Sequence, residues 1–279
     1  MKQKFTLHTH NNELRFDGFS SAKEMLDKGQ SLGFETMGVS NHMLTHRNLT
    51  QWVSKEPMYF DDFDKSCDVY KRHIEIIEEL KSDYKMNILI GFEADFFRDK
   101  EWRVNFEKMI SKLDVDYLIG TTHFIMNDDE SFLCNLYHYK YLENVSDEDL
   151  DNYMRNHFEN IIASIKSGYY SFIAHLDYCT IMGLGVDKKY DEYKYRMIEA
   201  LKEYKVPYEI NTSGYDRIDR PHPDVWMIKE AKRLDVPVVL SDDAHKVEQL
   251  GRHFDKAEKL LEELDYTNHF SLDMLKKPI

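Results

Sequence analysis

Short apolar runs alternate with helix-length amphipathic segments along this chain, and almost every run ends in a histidine or a carboxylate. The run at Phe5 leads into His8 and His10, and the run Phe34–Ser40 leads into His42. Met86–Ala94 carries Glu93 near its end, Val115–Thr121 leads into His123, and Tyr170–Ala174 leads into His175. Val206–Asn211 is a further run, and Val236–Leu240 leads into Asp242 and His245. Strict strand–helix alternation dictates a parallel sheet with helical crossovers. Parallel strands deliver their C-terminal residues to one shared face, so side chains far apart in sequence can meet there. A doubly wound sheet is the competing arrangement, but it gathers ligands at a switch point between a few strands. Ligand-type residues after nearly every strand favour closure into a barrel.

Helices are expected over Ser21–Leu32, Asp61–Asp83, Val104–Leu113, Asp147–Ser167, Lys189–Tyr204, Asp224–Leu234 and Lys246–Leu264. Ser20 or Ser21 suits an N-cap for the first, and Gly33 its stop. In the second, Phe63, Cys67, Tyr70, Ile74 and Ile77 step by four and three, which makes one buried stripe. With 279 residues, 42% of them hydrophobic, and no Pro/Gly/Ser-rich linker, the chain fits a single domain over residues 1–279. The segments 43–60 and 124–146 hold Trp52, Tyr59, Phe60, Phe132, Tyr137 and Tyr139 and are expected to cover the pocket and set specificity.

The formal net charge is −14, from 51 acidic and 37 basic residues, with no basic stripe. That disfavours nucleic acid as a partner. No apolar run reaches the length of a membrane span, so no membrane partner is expected. The N-terminus has no signal-peptide core. Three cysteines, Cys67, Cys134 and Cys179, form neither a CxxC pair nor a disulfide framework. A reducing, cytoplasmic setting is the expectation; the oligomeric state stays open.

The candidate metal ligands are His8, His10, Asp17, His42, Glu93, His123, His175, Asp242 and His245. Each has an ordinary structural explanation when taken alone. His8 and His10 share one strand face, but such pairs are common on surfaces. Glu93 in a buried strand needs a partner, which an Arg or Lys could supply. Asp242 could cap a helix. Together, however, they all fall at the same end of the strands, where accidents would scatter between both ends. Nitrogen and oxygen donors without thiolate suit zinc, manganese or iron. Nine ligands exceed the needs of one ion and suffice for two or three divalent ions, with Glu93 bridging. Hydrolysis is the chemistry such a site performs.

Seven pieces in order carry a family resemblance: His8-Thr9-His10 with Asp17-Gly18, Ser40-Asn41-His42, Gly91-Phe92-Glu93, Gly120-Thr121-Thr122-His123-Phe124, Ala174-His175-Leu176-Asp177-Tyr178, Glu209-Ile210-Asn211-Thr212-Ser213-Gly214 and Ser241-Asp242-Asp243-Ala244-His245. The chain resembles the PHP (polymerase and histidinol phosphatase) superfamily, above all its histidinol-phosphate phosphatase branch. The resemblance implies an α/β fold, a distorted (β/α)7 TIM-like barrel with a trinuclear metal site. It assigns His8, His10, Glu93 and Asp242 to one metal. Glu93, His123 and His175 go to a second, and Asp17, His42 and His245 to a third, with Glu13 competing for the place of Asp17. Glu93, Asp242 and His245 are then the catalytic group, with Asp242 or a nearby His handling the leaving-group proton.

Two departures stand out. Asn41 replaces a carboxylate often found before the second-motif histidine. The stretch Tyr178–Gly183 lacks the arginine that family phosphatases commonly place there for phosphate. Arg217, Arg220, Arg15 and His222 are the remaining substrate-binding candidates. The expected activity is hydrolysis of L-histidinol phosphate to L-histidinol and phosphate in histidine biosynthesis. The rivals are a phosphatase for another small phosphate monoester or phosphotyrosine, and a metal-binding module without turnover.

Overall fold

The apolar runs become the staves of one parallel sheet. The computed structural model describes residues 2–46, 62–126, 133–135 and 145–278. Strands β1 (Phe5–Thr6), β2 (Thr36–Val39), β4 (Asn87–Asp95), β5 (Tyr117–Thr121), β8 (Phe172–Ile173), β9 (Tyr208–Asn211) and β10 (Val238–Ser241) pair in that order, each parallel to the next. A short β3 (His42–Met43) continues past β2 and pairs with the end of β4, setting His42 opposite Glu93. Helices α1 (Ala22–Ser31), α2 (Phe63–Lys81), α3 (Lys100–Ile110), α4 (Asp147–Ser167), α5 (Asp191–Tyr204), α6 (Gly214–Ile218), α7 (Val225–Arg233) and α8 (Phe254–Glu263) fall between or after the strands. No described helix is long and apolar enough to cross a membrane.

The two outer strands approach each other and nearly close the sheet into a barrel. At the C-terminal end, Thr9 pairs in parallel with Ala244, and the His10 backbone N–H donates to the Ala244 carbonyl at 2.8 Å. At the other end a side chain does the work of a strand. Gln3 donates to the Leu240 carbonyl at 2.7 Å and accepts from the Leu240 N–H at 3.1 Å. Edge groups of β10 are thereby satisfied without a further strand.

The barrel interior is a packed core of Leu7, Tyr117, Ile119, Phe172, Ala174 and Val239, with Phe270 joining from the C-terminal segment. Tyr117 spans it and donates its hydroxyl to the Leu7 carbonyl. Gly38 and Gly91 make the room. A Cβ on Gly91 would stand 2.5 Å from Tyr117 Cζ, and one on Gly38 2.0 Å from the hydroxyl. Overpacking of this kind costs about 1–3 kcal/mol, so Gly91→Ala should lower the unfolding free energy by that amount in a denaturant titration. An unchanged midpoint would show that Tyr117 can move.

The larger core lies between sheet and helices. Cys67, Tyr70, Ile74 and Ile77 bury the predicted stripe of α2. Ser21 caps α1 with a full capping box: its hydroxyl accepts from the Glu24 N–H, and Glu24 returns a bond to the Ser21 N–H. Three expectations change. Helix α3 begins earlier than Val104, because Asp99 accepts from the Glu101 and Trp102 N–H groups and starts the turn there. A small antiparallel pair, β6 (Phe124–Met126) with β7 (Leu133–Asn135), was not foreseen. The single helix expected over Lys246–Leu264 is broken. Val247–Gln249 form a 3-10 turn, Gly251 and His253 take positive φ values of 71° and 56°, and α8 starts only at Phe254. The break has a cause at the site: it turns the Gly251 N–H and the Arg252 guanidinium back onto Asp242. Trp52, Tyr59, Phe60, Phe132, Tyr137 and Tyr139 lie outside the described residues.

Candidate metal centre

The strand ends converge on one carboxylate. Glu93, near the end of β4, is 1% exposed and faces five imidazoles. Its Oε2 lies 2.9 Å from His42 Nδ1, 3.2 Å from His8 Nε2 and 3.5 Å from His10 Nε2. Its Oε1 lies 3.0 Å from His175 Nε2 and 3.5 Å from His123 Nε2. To one side, Asp17 Oδ2 stands 2.9 Å from His42 Nε2 and 3.1 Å from His245 Nε2. The competitor Glu13 instead accepts from the Ala22 N–H at the start of α1.

Eight of the nine predicted ligands therefore meet; the ninth position is occupied by its neighbour. Asp242 points away: it accepts from the Thr6 hydroxyl at 3.1 Å and from the Gly251 N–H at 2.6 Å. Asp243 takes its place, with Oδ1 3.2 Å from His10 Nε2 and 3.6 Å from both His8 Nε2 and His245 Nδ1. Successive side chains leaving a strand point to opposite faces, and Asp243 has a left-handed backbone, φ 48°. That turn aims its carboxylate inward. The result is four overlapping ligand groups: His10, Asp17, His42 and His245; His8, His10 and Asp243; His8, Glu93 and His175; His42, Glu93 and His123.

The residues fit cations. His8 Nε2, both nitrogens of His10, His42 Nδ1 and Glu93 Oε2 are buried and make no hydrogen bond among the described residues. Orphaned polar atoms are costly inside a protein, and these five belong to residues of the ligand groups. Burial opposes charge throughout, yet carboxylates hold several imidazoles protonated. His8 is raised well above the usual histidine value by Glu209, Glu93 and Asp243, and His42 by Asp17 and Glu93. Burial alone would raise Glu93, but His8, His42 and His123 hold it well below the carboxylate range. His10, by contrast, is lowered to about 3 by burial and by His245 and His42. Burial pushes Asp242 up to about 6.

These directions set a pH dependence. His8, His42, His123 and His245 are all raised, so they keep protons at a pH where a free imidazole has lost its own. A cation must displace those protons. Metal loading at neutral pH should release protons, and affinity should fall as pH falls. Calorimetric titration of zinc in two buffers of different ionisation enthalpy measures the release; equal heats would contradict it.

A PHP domain model matches residues 6–213. The chain belongs to the PHP domain family. A probable histidinol-phosphatase of Deinococcus radiodurans is 25% identical over 180 residues, 63% of this chain and 64% of that protein. The chain thus aligns with slightly less than two thirds of that relative. The histidinol-phosphatase of Bacillus subtilis is 25% identical over 268 residues, 88% of this chain and 92% of that protein. A crystal structure of histidinol phosphate phosphatase from Lactococcus lactis, complexed with zinc, L-histidinol and phosphate, superposes with a TM-score of 0.68 at 17% identity, covering 99% of each chain. That likeness bears on the fold.

Carboxylates behind the histidines hold this PHP domain's rings in place. Glu209, on β9 and fully buried, accepts from His8 Nδ1 at 2.7 Å, from the His175 backbone N–H at 3.0 Å and from Asn211 Nδ2 at 3.0 Å. Asp95 does the same for His123, taking its Nδ1 at 3.0 Å and its backbone N–H at 2.6 Å. With Nδ1 held by the carboxylate, each ring turns Nε2 to the cluster, where its lone pair becomes a ligand once a cation displaces the second proton. Asn41 hydrogen-bonds Asn11, bracing the loop after His10. Arg252 donates to the Asp242 and Asp243 carbonyls and so fixes the turn that aims Asp243.

Sequence reasoning assigned no role to Glu209, Asp95, Asp243 or Arg252. For Glu209 a signal was available: it sits in an apolar strand, as Glu93 does. Glu209→Gln should cut metal affinity about 10–100-fold, read by competition with a chelating dye; unaltered affinity would make Glu209 a fold residue only.

The substrate-binding candidates divide. Arg15 is exposed and holds a left-handed turn after the 3-10 segment Asn12–Leu14. Arg217 is exposed on α6. Arg220 is engaged: it lies 2.9 Å from Asp177 and 3.3 Å from Asp224, and donates to Thr180 Oγ1 at 2.8 Å. His222 is fully buried, with Nδ1 2.7 Å from Asp177. Of the histidines assigned no metal or substrate role, His46, His73 and His157 are buried. His253 pairs with Asp216 at 2.6 Å, His269 is exposed, and His138 lies outside the described residues.

Proposed function

We propose that this chain is a metal-dependent phosphomonoesterase that hydrolyses L-histidinol phosphate to L-histidinol and phosphate, a step of histidine biosynthesis. The observation that carries the reading is Glu93, a buried carboxylate set among five imidazoles at the open ends of the strands. The nitrogen and oxygen donors suit zinc, manganese or iron. Two or three such ions would outweigh the charge of Asp17, Glu93 and Asp243 and leave the site positive toward a phosphate dianion. When bound, the ions supply Lewis acidity, acidifying water and offsetting phosphoryl charge. The chain's part is to hold ligands rigidly: Glu209 fixes His8, Asp95 fixes His123, and Arg252 fixes the Asp243 turn. Asp243, beside His8, His10 and His245, replaces Asp242 as the carboxylate placed to take or return a proton. The names of the relatives support the substrate.

A second reading keeps the chemistry and changes the ester to another small monoester or phosphotyrosine. It is favoured by Tyr178–Gly183, which contains no arginine, and by the engagement of Arg220 with Asp177, Thr180 and Asp224. A metal-binding module without turnover is disfavoured, because a structural site closes with four ligands. A small-molecule substrate, no nucleic-acid or membrane partner and a cytoplasmic setting belong to the same reading. The test is phosphate release from L-histidinol phosphate by protein stripped with a chelator and then reloaded. Activity should vanish on stripping and return with manganese or zinc; release indifferent to metal would overturn the proposal.

A further inference from the structure

The metal centre is not equally buried on all sides. The side chains of Asp17 and His245, 3.1 Å apart, are 38% and 17% exposed, while the other ligand side chains are at most 9% exposed. The site therefore opens beside Asp17 and His245. One apolar side chain stands at that opening. Phe19, two residues beyond Asp17, is 77% exposed, the most exposed large hydrophobic side chain among the described residues. Its backbone N–H donates to the His245 carbonyl at 2.7 Å.

The loop that carries Phe19 is fixed. A Cβ on Gly18 would stand 2.2 Å from the carbonyl carbon and oxygen of Asn11, so the chain lies directly against that backbone. The Phe19 carbonyl accepts from Asn12 Nδ2 at 3.3 Å, the Ser20 carbonyl from the Asn12 N–H at 2.9 Å, and the Ser20 hydroxyl from the Val247 N–H at 3.2 Å. On the inner side of the same loop the Phe16 ring meets the His42 ring edge-on, with centroids 5.1 Å apart, and Phe16 packs on the core. Phe19 belongs to neither hydrophobic cluster among the described residues.

A single exposed apolar residue elsewhere on a surface needs no explanation. Here the backbone is held at the mouth of a polar site and only the ring remains to be ordered, which is how a preorganised contact is built. In the hydrolase reading the phosphoryl group goes to the buried ligands, and the alcohol half of the ester extends outward past Asp17 and His245. A phenyl ring has neither donor nor acceptor to offer that alcohol. It offers apolar area and a π face, which favour a flat, weakly hydrated group over a small hydroxylated one.

We propose that Phe19 is a specificity-determining residue, the wall on which a ring of the substrate's alcohol half packs as the ester enters beside Asp17 and His245. This rests on the hydrolase reading above, holds for either ester that reading allows, and adds the residue that favours a ring-bearing alcohol. The contact is made in the ground state and the transition state alike, so its loss falls on KM rather than on kcat.

The experiment compares manganese-loaded wild type, Phe19→Ala and Phe19→Tyr on L-histidinol phosphate, phosphotyrosine and glycerol 3-phosphate, with inorganic phosphate as a competitive inhibitor that has no alcohol half. Because the side chain is exposed, its truncation leaves the fold intact. Phe19→Ala should raise KM about tenfold on the ring-bearing ester that wild type hydrolyses best. Bound manganese and the inhibition constant of phosphate should stay at the wild-type level, and Phe19→Tyr, which keeps the ring, should restore KM. An unchanged KM overturns the proposal. So does a loss shared by inorganic phosphate or accompanied by lost manganese, which would make Phe19 a prop for the loop at His245. Wild-type protein that releases phosphate from none of the three esters overturns the hydrolase reading and this inference with it.

Discussion

Glu93→Gln should abolish phosphate release and most metal binding while leaving a folded barrel. Glutamine keeps the shape of the side chain, and the Glu93 backbone N–H stays on the Ser40 and Asn41 carbonyls at 3.1 and 3.2 Å. What is lost is the one negative charge that faces His8, His10, His42, His123 and His175 together. Glu93 belongs to two of the ligand groups and would serve an ion in each, so its removal would not be a partial loss. The expected fall in kcat/KM is on the order of a thousandfold or more, as for residues that act as a unit. The stripped variant should also melt lower than stripped wild type, because the protonated imidazoles lose their counter-charge. Metal content, turnover and a thermal melt on one preparation check all three. Near wild-type turnover would remove Glu93 from the centre of the site.

The adjacent pair Asp242 and Asp243 should separate cleanly. Asp243→Asn removes a carboxylate that touches His8, His10 and His245, and should cost about 10²–10⁴-fold in kcat/KM together with bound metal. Asp242→Asn should leave turnover within about tenfold. Its cost is in stability, about 1–3 kcal/mol, because Asp242 accepts from both the Thr6 hydroxyl and the Gly251 N–H through its two oxygens, and an amide keeps only one of them. Denaturant titration and steady-state kinetics of both variants decide it. An inactive Asp242→Asn beside an active Asp243→Asn would reverse the assignment and restore the order read from sequence.

That reversal marks where sequence reading ends. His8, His10, His42, Glu93, His123 and His175 were legible because a parallel barrel sends strand ends to one place, and each follows or ends an apolar run. His245 was legible as a residue shortly after the run Val236–Leu240; Asp17, in a loop that carries no period, drew its place from motif resemblance. Two neighbouring aspartates offer no periodicity that tells which one faces inward; the choice rests on a left-handed residue and on Arg252, ten positions beyond Asp242. The same turn broke the helix expected over Lys246–Leu264, whose apolar spacing looked continuous. Arg220 looked like a phosphate ligand by residue type, but Asp177 and Asp224, far from or beside it in sequence, take its charge. Glu209 could have been found, because a carboxylate in a buried strand requires a partner.

The most direct test of the account is kcat/KM of the metal-loaded protein on L-histidinol phosphate beside phosphotyrosine and other small phosphate esters. A value at least about a hundredfold above every other ester is the predicted result. Slow, even activity across the panel would retain the metal centre and its chemistry but contradict the histidinol assignment.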